Sequence, residues 1–282
     1  MKTLKIAGQT IPAIGLGTWH MGDHLDSQDQ EINALKTGIE AGATVLDTAE
    51  MYGNGNSERL VGKAIQGYDR DSLFIIDKVL PHNAVPGRLE KSLNRSLSLV
   101  GVDYFDLYLY HWRSGERLAD VVSAMEAVKA AGKIKSWGVS NFDLTDMREL
   151  MRVPNGQNCA ANEDLYNISS RGIEYDLLPW QAQHHLPLIA YTPVAHGDSM
   201  GANVTQNPVL LRVAASHHVS VYTVMLAWAI RQPGVLAIPQ SSNPVHVKAN
   251  VAAGDLQLSD EEWAALAKEF PQPTSKQPLD VL

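Results

Sequence analysis

The chain has 282 residues, a length that suits one large α/β domain or two average ones. Its 23 Lys and Arg against 31 Asp and Glu give a formal net charge of −8. An acidic surface repels a polyphosphate backbone, so we expect no nucleic-acid partner. The single cysteine, Cys159, excludes an internal disulfide framework and a multi-cysteine metal site, and it suits a reducing cytoplasm.

The sequence carries no motif for secretion, membrane insertion or metal binding. Residues 1–10 carry two lysines but no apolar core, so they do not resemble a signal peptide. No stretch approaches the roughly 20 uninterrupted apolar residues of a membrane-spanning helix. No HExxH or CxxC spacing occurs, so no metal site is expected. The sequence therefore predicts a cytoplasmic protein with no membrane partner.

Short apolar or β-branched segments alternate with longer amphipathic segments along the chain. The eight predicted strands are residues 14–18, 44–47, 73–78, 104–111, 135–139, 158–162, 186–191 and 235–239. The predicted helices between them include residues 28–41, 57–66, 86–99, 116–131, 143–151 and 172–183. The helical period is clear over 116–131, where Leu118, Val122 and Met125 share one apolar face.

Strands separated by helices imply parallel pairing through right-handed crossovers. The steps between strand ends from 47 to 78, 78 to 111, 111 to 139 and 162 to 191 are each about 30 residues, the size of a βα unit, and eight such units close into a (β/α)8 TIM barrel. An open doubly wound sheet, which needs fewer strands, is the alternative. Segments 4–7 and 9–11 predict a short N-terminal β-hairpin that closes the barrel bottom, and the tail from Pro271 predicts an extended strap. Residues 1–282 then form a single domain.

Polar residues follow most of the predicted strands. They are Asp47, Lys78, His111, Ser140, Asn141, Asn162, Glu163, Tyr191, Gln240, Ser241 and Ser242. The carboxyl ends of barrel strands are where enzymes of this architecture place their chemistry. Scattered polar residues would not keep to strand ends so regularly, so the pattern itself indicates a site.

Three neighbouring strand ends carry Asp47, Lys78 and His111, and Tyr52 lies in the loop after Asp47. Adjacent strands are about 4.8 Å apart, so these side chains can meet. An ammonium beside a phenol lowers the phenol pKa from its usual value near 10, so Lys78 is expected to bring the pKa of Tyr52 closer to working pH. Tyr52 would then be a general acid, Asp47 would balance Lys78, and His111 would hold a carbonyl oxygen. This set suits protonation of an alkoxide while hydride reaches the carbon.

Four ordered motifs resemble the signatures of the aldo-keto reductase family. They are GLGTW at 15–19, DTAEMYG at 47–53, DLYLYHW at 106–112 and GVSNF at 138–142. The resemblance covers about residues 5 to 270 and implies a (β/α)8 barrel, NAD(P)H-dependent carbonyl reduction and a catalytic tetrad of Tyr52, Asp47, Lys78 and His111. The segment RGIEYDLLPW at 171–180 resembles the bacterial branch that reduces small aldehydes such as methylglyoxal.

The resemblance also implies a nicotinamide cofactor, bound in an extended pose without a Rossmann fold. The residues that match the family's cofactor positions are Thr18, Trp19, Asp47, Ser140, Asn141, Glu163, Tyr191, Thr192, Pro193, Val194, Ile238, Pro239, Gln240, Ser241, Ser242, His246 and Asn250. Ser140 and Asn141 match the residues that hold the carboxamide, and Tyr191 matches the aromatic ring that stacks on the nicotinamide.

Two places depart from the family pattern. Glu163 stands where a carboxamide-binding Gln is usual, and a carboxylate has no donor for the amide carbonyl unless it is protonated. Its negative charge is expected to favour the oxidised cofactor. Gln240 and His246 replace the Lys and Arg that usually bind the adenosine 2′-phosphate, and charge-assisted bonds are about twice as strong as neutral ones. We therefore expect NADPH with relaxed selectivity, and NADH as the alternative.

The expected function is reduction of an aldehyde or ketone to an alcohol by a monomer. The alternatives are a cofactor-binding barrel that senses redox state or regulates, with slow turnover, and a different barrel enzyme such as an isomerase. The complete tetrad favours the reductase. The substrate is expected to contact His111, Trp19, Tyr52 and Trp112, and the short tail of twelve residues after Phe270 predicts an open site for small or varied carbonyls.

Overall fold

The computed structural model describes residues 1–195 and 203–282. The chain begins with the predicted hairpin, in which strand β1 (Thr3–Ile6) pairs antiparallel with β2 (Gln9–Pro12). Gly8 lies in the turn at a φ of 82°, a conformation that suits a two-residue hairpin loop. The inward aliphatic side chains of both strands belong to the hydrophobic core.

Eight further strands form one parallel sheet whose order follows the chain without interruption. They are β3 (Leu16–Gly17), β4 (Val45–Asp47), β5 (Phe74–Val79), β6 (Phe105–Tyr110), β7 (Ile134–Ser140), β8 (Asn162–Leu165), β9 (Leu188–Tyr191) and β10 (Val235–Ala237). Each strand returns beside the preceding one after a helical crossover, as right-handed βα repeats require.

The first and last strands of this sheet also meet. Ile14 bridges Ala237 in parallel, and the N–H of Gly15 donates to the carbonyl of Ala237 at 2.8 Å. The N–H of Gly17 donates to the carbonyl of Pro239 at 3.1 Å. The sheet therefore closes, which confirms the (β/α)8 barrel and excludes the open doubly wound sheet.

The barrel strands are buried on both faces because helices cover the outside. Every residue of β5 and β6 is buried. Side chains alternate along a strand, so Lys78 faces the barrel interior while its neighbour Asp77 faces the helices. Polar side chains of one strand are thereby divided between the site and the layer beneath the helices.

The helices lie outside the barrel and pack on it through their apolar faces. They are α1 (Gln28–Glu40), α2 (Asn56–Ala64), α3 (Leu89–Val100), α4 (Leu118–Ala130), α5 (Leu144–Leu150), α6 (Leu177–Gln183), α7 (Pro208–Ser216), α8 (Val221–Ala229), α9 (Pro244–Ala252) and α10 (Asp260–Glu269). Capping boxes at Asp143 and Ser259 begin α5 and α10. Among residues 1–195 and 203–282, no single helix is long and apolar enough to cross a membrane, and α7 with α8 reach that length only as a pair bent by 97°.

One predicted strand is displaced. Residues 158–162 were expected to form it, but Gly156–Asn158 form a 3-10 turn and β8 begins at Asn162. Glu163 and Asp164 therefore lie inside the strand and are fully buried, not in the loop that follows it. An apolar pattern cannot locate a strand whose buried positions are carboxyl groups.

The predicted helix over 172–183 is divided into a 3-10 turn (Gly172–Glu174) and α6. The carboxylate of Glu174 accepts hydrogen bonds from Arg171 at 2.5 Å and from Arg231 at 2.6 Å. These two bonds fix the turn against the end of α8. A tertiary ion pair, not local propensity, sets this helix boundary.

The tail over residues 271–282 contains no helix or strand and lies along the loop after β8, which confirms the extended strap. Ser170 hydrogen-bonds to Asp280, and Lys276 pairs with Asp176 at 3.0 Å. The strap therefore reaches the side of the barrel on which the strands end.

Gly138 in β7 generates a test of how tightly the barrel wall is packed. A Cβ at this position would lie 2.5 Å from the carbonyl oxygen of Ala161 and 2.8 Å from Cδ2 of Leu109. The oxygen of Ala161 is a backbone atom of the neighbouring strand segment, so it can move away only if the backbone shifts. We expect Gly138→Ala to lower the free energy of unfolding by about 1–3 kcal/mol, measured by urea titration.

The matched control is Gly115→Ala, because a Cβ at Gly115 would meet nothing within 4 Å. Its free energy of unfolding should stay within about 0.5 kcal/mol of the parent. Equal stability of the two variants would contradict the close approach of the Ala161 segment to β7.

Candidate active site

The structure brings the four predicted catalytic side chains together at the carboxyl ends of β4, β5 and β6. Nζ of Lys78 lies 2.5 Å from Oδ1 of Asp47. The same nitrogen is 3.4 Å from the hydroxyl of Tyr52 and 3.1 Å from the carbonyl oxygen of Thr48. The ring of His111 packs edge-on to that of Tyr52, with centroids 5.9 Å apart.

Lys78 is fully buried, so its charge needs compensation. Burial by itself lowers the pKa of an ammonium group, but the carboxylates of Asp47 and Glu163 raise the pKa of Lys78 well above its ordinary value. Oε1 of Glu163 is 3.4 Å from Nζ. Lys78 is therefore positively charged at neutral pH.

The pKa of Tyr52 is raised, whereas the sequence predicted that it would be lowered. Burial raises the pKa of the Tyr52 phenol, Lys78 lowers it by a smaller amount, and Asp47 and Glu163 raise it again. The predicted net lowering is therefore wrong in this structure. Tyr52 is protonated at neutral pH, which is the form that a general acid requires.

Glu163 adds a second carboxyl group beside Lys78. It lies in β8, is almost completely buried, and its Oε2 has no hydrogen-bond partner among the described residues. Burial and the neighbouring Asp47 raise the pKa of the Glu163 carboxyl well above its usual range. Two carboxyl groups thus face a single ammonium in the interior of the barrel.

His111 lies just after β6, and its side chain is 8% exposed. Its ring packs against the indole of Trp112, with centroids 4.9 Å apart. Burial and the charge of Lys78 lower the pKa of His111 to about 3. The imidazole is therefore neutral near pH 7, so it can donate one hydrogen bond to an oxygen but is not a proton source.

A chain of hydrogen bonds joins the ends of β6 to β9. The hydroxyl of Tyr191 donates to Oδ1 of Asn141 at 2.7 Å. The amide nitrogen of Asn141 lies 3.2 Å from the carbonyl of His111 and 3.0 Å from Oγ of Ser140, which itself donates to the carbonyl of Glu163 at 2.9 Å. These bonds orient the residues expected to hold the carboxamide.

Thr192, Pro193 and Val194 follow β9 directly. Thr192 has a φ of 48°, and its carbonyl accepts a hydrogen bond from Nδ2 of Asn167 at 3.0 Å. Oδ1 of Asn167 in turn accepts from the N–H of Ser170 at 2.8 Å. Sequence reasoning missed Asn167, although an Asn with serines two and three residues later is a typical Asx-turn signal.

Thr18 at the end of β3 is fully buried. Its hydroxyl donates to the carbonyl of Asp47 at 2.8 Å and accepts from Oγ of Ser57 at 2.6 Å. Ser57 is also 3.0 Å from the hydroxyl of Thr48. These hydroxyls hold β3, β4 and α2 together, and a contact between Thr18 and a cofactor stays a prediction. Ser57 was missed because one small hydroxyl on a helix leaves no sequence signal.

The predicted apolar walls of the substrate pocket are accessible. Trp19 follows β3 and is 43% exposed, and Trp112 follows β6 and is 37% exposed. Trp19 stacks on His20 with ring centroids 4.4 Å apart. Two indoles at the ends of these strands are consistent with an open site.

The residues expected at the adenosine end of the cofactor follow β10. Ile238 and Pro239 are buried, Gln240 is exposed, and Ser241 and Ser242 are half-buried. The carbonyl of Ser242 accepts a hydrogen bond from the side chain of Gln30 at 3.1 Å. The segment therefore passes from the barrel wall to the surface within five residues.

Helix α9 begins directly after this segment. Asn243 is its N-cap, and the side chain accepts from the N–H of Val245 at 2.9 Å. His246 lies in the first turn and is exposed, and Asn250 lies one turn later on the same face. Pro244 has no N–H, and those of Val245 and Val247 already donate to Asn243, so the N–H of His246 is the donor that the first turn of α9 can offer to a phosphate.

The donor set fits a nicotinamide cofactor. At one end, the half-buried ring of Tyr191 and the unpartnered Oε2 of Glu163 lie at the strand ends that also carry Lys78. At the other end, Gln240 and the N-terminus of α9 offer neutral donors at the surface. The segments that follow β9 and β10 carry small or apolar residues, which suit an extended ligand across the strand ends: Thr192, Pro193, Val194, Ile238 and Pro239.

Known proteins resemble the chain along its whole length. Residues 13–269 match the sequence profile of the Aldo/keto reductase family. The methylglyoxal reductase YeaE of Escherichia coli K12 is 42% identical over 282 residues, which are 100% of this chain and 99% of that protein. The methylglyoxal reductase DkgB of Escherichia coli O157:H7 is 32% identical over 262 residues, which are 91% of this chain and 92% of that protein.

Solved structures agree with the sequence comparison. An aldo/keto reductase from Klebsiella pneumoniae in complex with NADP and acetate superposes with a TM-score of 0.97 at 45% identity, over 100% of this chain and 99% of that one. The thermostable aldo-keto reductase Tm1743, in complex with the inhibitor epalrestat, gives a TM-score of 0.87 at 35% identity, over 95% of this chain and 99% of that one.

The pKa of His111 makes stability depend on pH. The unfolded chain protonates this imidazole below about pH 6.5, whereas the folded chain does so only near pH 3, so acid favours the unfolded state between these values. We expect His111→Gln to abolish about 2 kcal/mol of the stability that the parent loses between pH 7 and pH 5. Urea unfolding of both proteins at the two pH values measures this difference.

The control is His82→Gln, which replaces an exposed histidine outside the site. It should keep the pH dependence of the parent. If His111→Gln also kept it, His111 would not be held neutral in the folded protein.

Proposed function

The chain belongs to the aldo/keto reductase family and is an NAD(P)H-dependent carbonyl reductase, and on that premise we propose that Tyr52 donates the proton in its reaction. The observation that carries this proposal is the position of the Tyr52 hydroxyl, 3.4 Å from Nζ of the buried Lys78 and beside the ring of His111. Asp47 completes the set by holding Lys78.

The cofactor, when bound, supplies hydride to the carbonyl carbon, and the residues of the chain manage the oxygen. His111 is neutral and donates one hydrogen bond that holds the carbonyl oxygen beside the phenol. As alkoxide character develops on that oxygen, its basicity rises above that of a phenolate and the proton of Tyr52 moves to it. Lys78 then stabilises the phenolate, and Asp47 keeps the ammonium in place.

We propose small aldehydes of the methylglyoxal type as substrates. The similarity to two methylglyoxal reductases supports this substrate class. The exposed indoles of Trp19 and Trp112 supply apolar walls but no deep enclosure, which suits a small carbonyl compound. His111 and Tyr52 would contact its oxygen.

We propose NADPH as the cofactor, because a relative of 45% identity is known in complex with NADP. In this chain Ser140, Asn141 and Glu163 would face the carboxamide and Tyr191 the ring, with Thr18, Trp19 and Asp47 beside them. Thr192, Pro193, Val194, Ile238 and Pro239 would line the path to the adenosine. Gln240, Ser241, Ser242, His246 and Asn250 would bind the adenosine and its 2′-phosphate.

We further propose that residues 1–282 act as one domain and as a monomer in the cytoplasm. The tetrad comes together within a single chain, so the proposed site needs no residue from a second copy. The one cysteine, Cys159, is buried and its pKa is raised to about 12 by burial, so this thiol needs no oxidising compartment.

Replacement of Tyr52 tests the proton donor. We expect Tyr52→Phe to lower kcat for methylglyoxal by about 10²- to 10⁴-fold, because the phenyl ring keeps the packing but has no proton to give. The Kd for NADPH, measured by protein fluorescence, should stay within a few-fold of the parent. Tyr175→Phe removes an exposed phenol outside the site and should leave kcat unchanged.

Two outcomes of this experiment would contradict the proposal. Retained turnover in Tyr52→Phe would refute the role of Tyr52. A parent rate near background with methylglyoxal and a panel of other carbonyls would favour the slowly turning redox-sensing barrel.

Gln240 and His246 stand after β10 where the family usually has Lys and Arg, and replacing them tests cofactor selectivity. We expect the double variant Gln240→Lys, His246→Arg to raise the ratio of kcat/KM with NADPH to that with NADH by about tenfold or more, because two charge-assisted bonds to the 2′-phosphate are added. The measurement is steady-state kinetics with both cofactors and one aldehyde.

Gln66→Lys is the control. It adds a positive charge at an exposed position in the turn after α2, outside the segment that follows β10. It should not change the ratio. An unchanged ratio in the double variant would show that these two positions do not face the phosphate.

A further inference from the structure

The carboxyl groups of Asp47 and Glu163 pose a problem of hydrogen bonding. Both residues are almost completely buried, and within residues 1–195 and 203–282 neither Oδ2 of Asp47 nor Oε2 of Glu163 has a conventional partner. Oδ1 of Asp47 lies 2.5 Å and Oε1 of Glu163 lies 3.4 Å from the same Nζ of Lys78, so the two carboxyl groups are neighbours that a hydrogen bond could join. Two carboxylates cannot form such a bond, because each is only an acceptor. One proton between them would satisfy both oxygens.

We propose that Asp47 and Glu163 share one proton beside Lys78, and that Glu163 is a positioning residue whose ionisation sets the preference of the site between oxidised and reduced cofactor. While the pair holds its proton, the buried cluster of Asp47, Glu163 and Lys78 has no net charge. When the pair loses it, the cluster gains one negative charge next to the nicotinamide position. This inference rests on the tetrad proposed above.

The distances indicate which carboxyl group keeps the proton. Asp47 lies 2.5 Å from Nζ of Lys78, whereas Glu163 lies 3.4 Å away. The closer carboxyl gains more from the ammonium, so Asp47 is the ionised partner. A second buried carboxylate would face one cation that is already neutralised, and like charges at this separation oppose ionisation. Burial and Asp47 together raise the pKa of Glu163, in agreement with this assignment.

The groups that face Glu163 come from four places in the barrel. They are Asp47 at the end of β4, Lys78 on β5, Tyr52 in the loop after β4 and Tyr191 at the end of β9. Lys78 is the only cation among them, so nothing else in this set would offset a second carboxylate. The proton of the pair also explains the departure from the usual Gln, because a neutral carboxylic acid resembles an amide in charge and shape.

This assignment changes the expected effect of Glu163 on the cofactor. A permanently ionised Glu163 would favour the oxidised form, whose ring is positive, at every pH. A shared proton makes the effect conditional, because the charge exists only at pH values where the pair has ionised. The preference for NADP+ over NADPH should therefore increase as pH rises.

Cofactor binding across a pH range tests the proposal. The Kd values of NADP+ and NADPH would be measured by protein fluorescence from pH 6 to pH 10 for the parent and for Glu163→Gln. In the parent, the ratio of the NADPH Kd to the NADP+ Kd should rise by about tenfold or more, as one added charge close to the ring in a partly dry site would cause. In Glu163→Gln the ratio should stay flat at the low-pH value.

Asp164→Asn is the matched control. It replaces a buried carboxyl group one residue further along β8, whose side chain faces away from the barrel interior and contacts Asn162. Its Kd ratio should follow that of the parent. A flat ratio in the parent, or an equal rise in the parent and in Glu163→Gln, would overturn the proposal.

A second measurement needs no variant. At a pH where the pair is partly ionised, binding of NADP+ should favour its ionised form and so release protons. Binding of NADPH should release none. Calorimetry of the parent in two buffers of different ionisation enthalpy counts those protons. Equal proton release for the two cofactors would overturn the proposal. Neither binding measurement depends on turnover, so failure of the Tyr52 role and failure of the shared proton give different results.

Discussion

The buried ion pair between Lys78 and Asp47 is the interaction on which the rest of the site depends. An ammonium in the barrel interior costs several kcal/mol in lost hydration unless carboxylates and carbonyls replace the water. The strand register meets this need. Asp47 lies opposite Ile76, so Lys78 stands two residues further along β5 and its side chain extends to both Asp47 and the carbonyl of Thr48. A slip of one residue would turn Lys78 towards the helices.

The ammonium of Lys78 also has opposite effects on the charged forms of Tyr52 and His111. It favours the phenolate of Tyr52 and opposes the imidazolium of His111, and burial opposes both charged forms. Both groups are therefore neutral at pH 7, and in the proposed reaction only Tyr52 gains a stabilised anion by giving up its proton. His111 has no such gain and remains a hydrogen-bond donor. Lys78 thus has opposite effects on the charged forms of these two groups, and this difference distinguishes the proposed acid from the proposed orienting group.

The barrel and the tetrad were predictable because both follow from where residues sit along the chain. Eight apolar segments separated by helices predicted the barrel that the bridge between Ile14 and Ala237 closes. Polar residues after those segments predicted the meeting of Asp47, Lys78 and His111. The start of β8 was not predictable, because its buried positions carry carboxyl groups that an apolar pattern excludes. The net pKa of Tyr52 was not predictable either, because the neighbouring charges can be read from spacing but the degree of burial cannot.

The two departures from the family pattern act on different properties of the cofactor. Glu163 lies in the barrel interior, where charge is weakly screened, and in the proposed binding mode it is near the nicotinamide ring, whose charge changes with oxidation state. Gln240 and His246 lie in water at the surface, beside the expected place of the 2′-phosphate, whose charge does not change in the reaction. Salt screens the second region far more than the first. On the two proposals above, the choice between NADPH and NADH would vary with substitution after β10, while the choice between oxidised and reduced forms would stay governed by the proton beside Lys78.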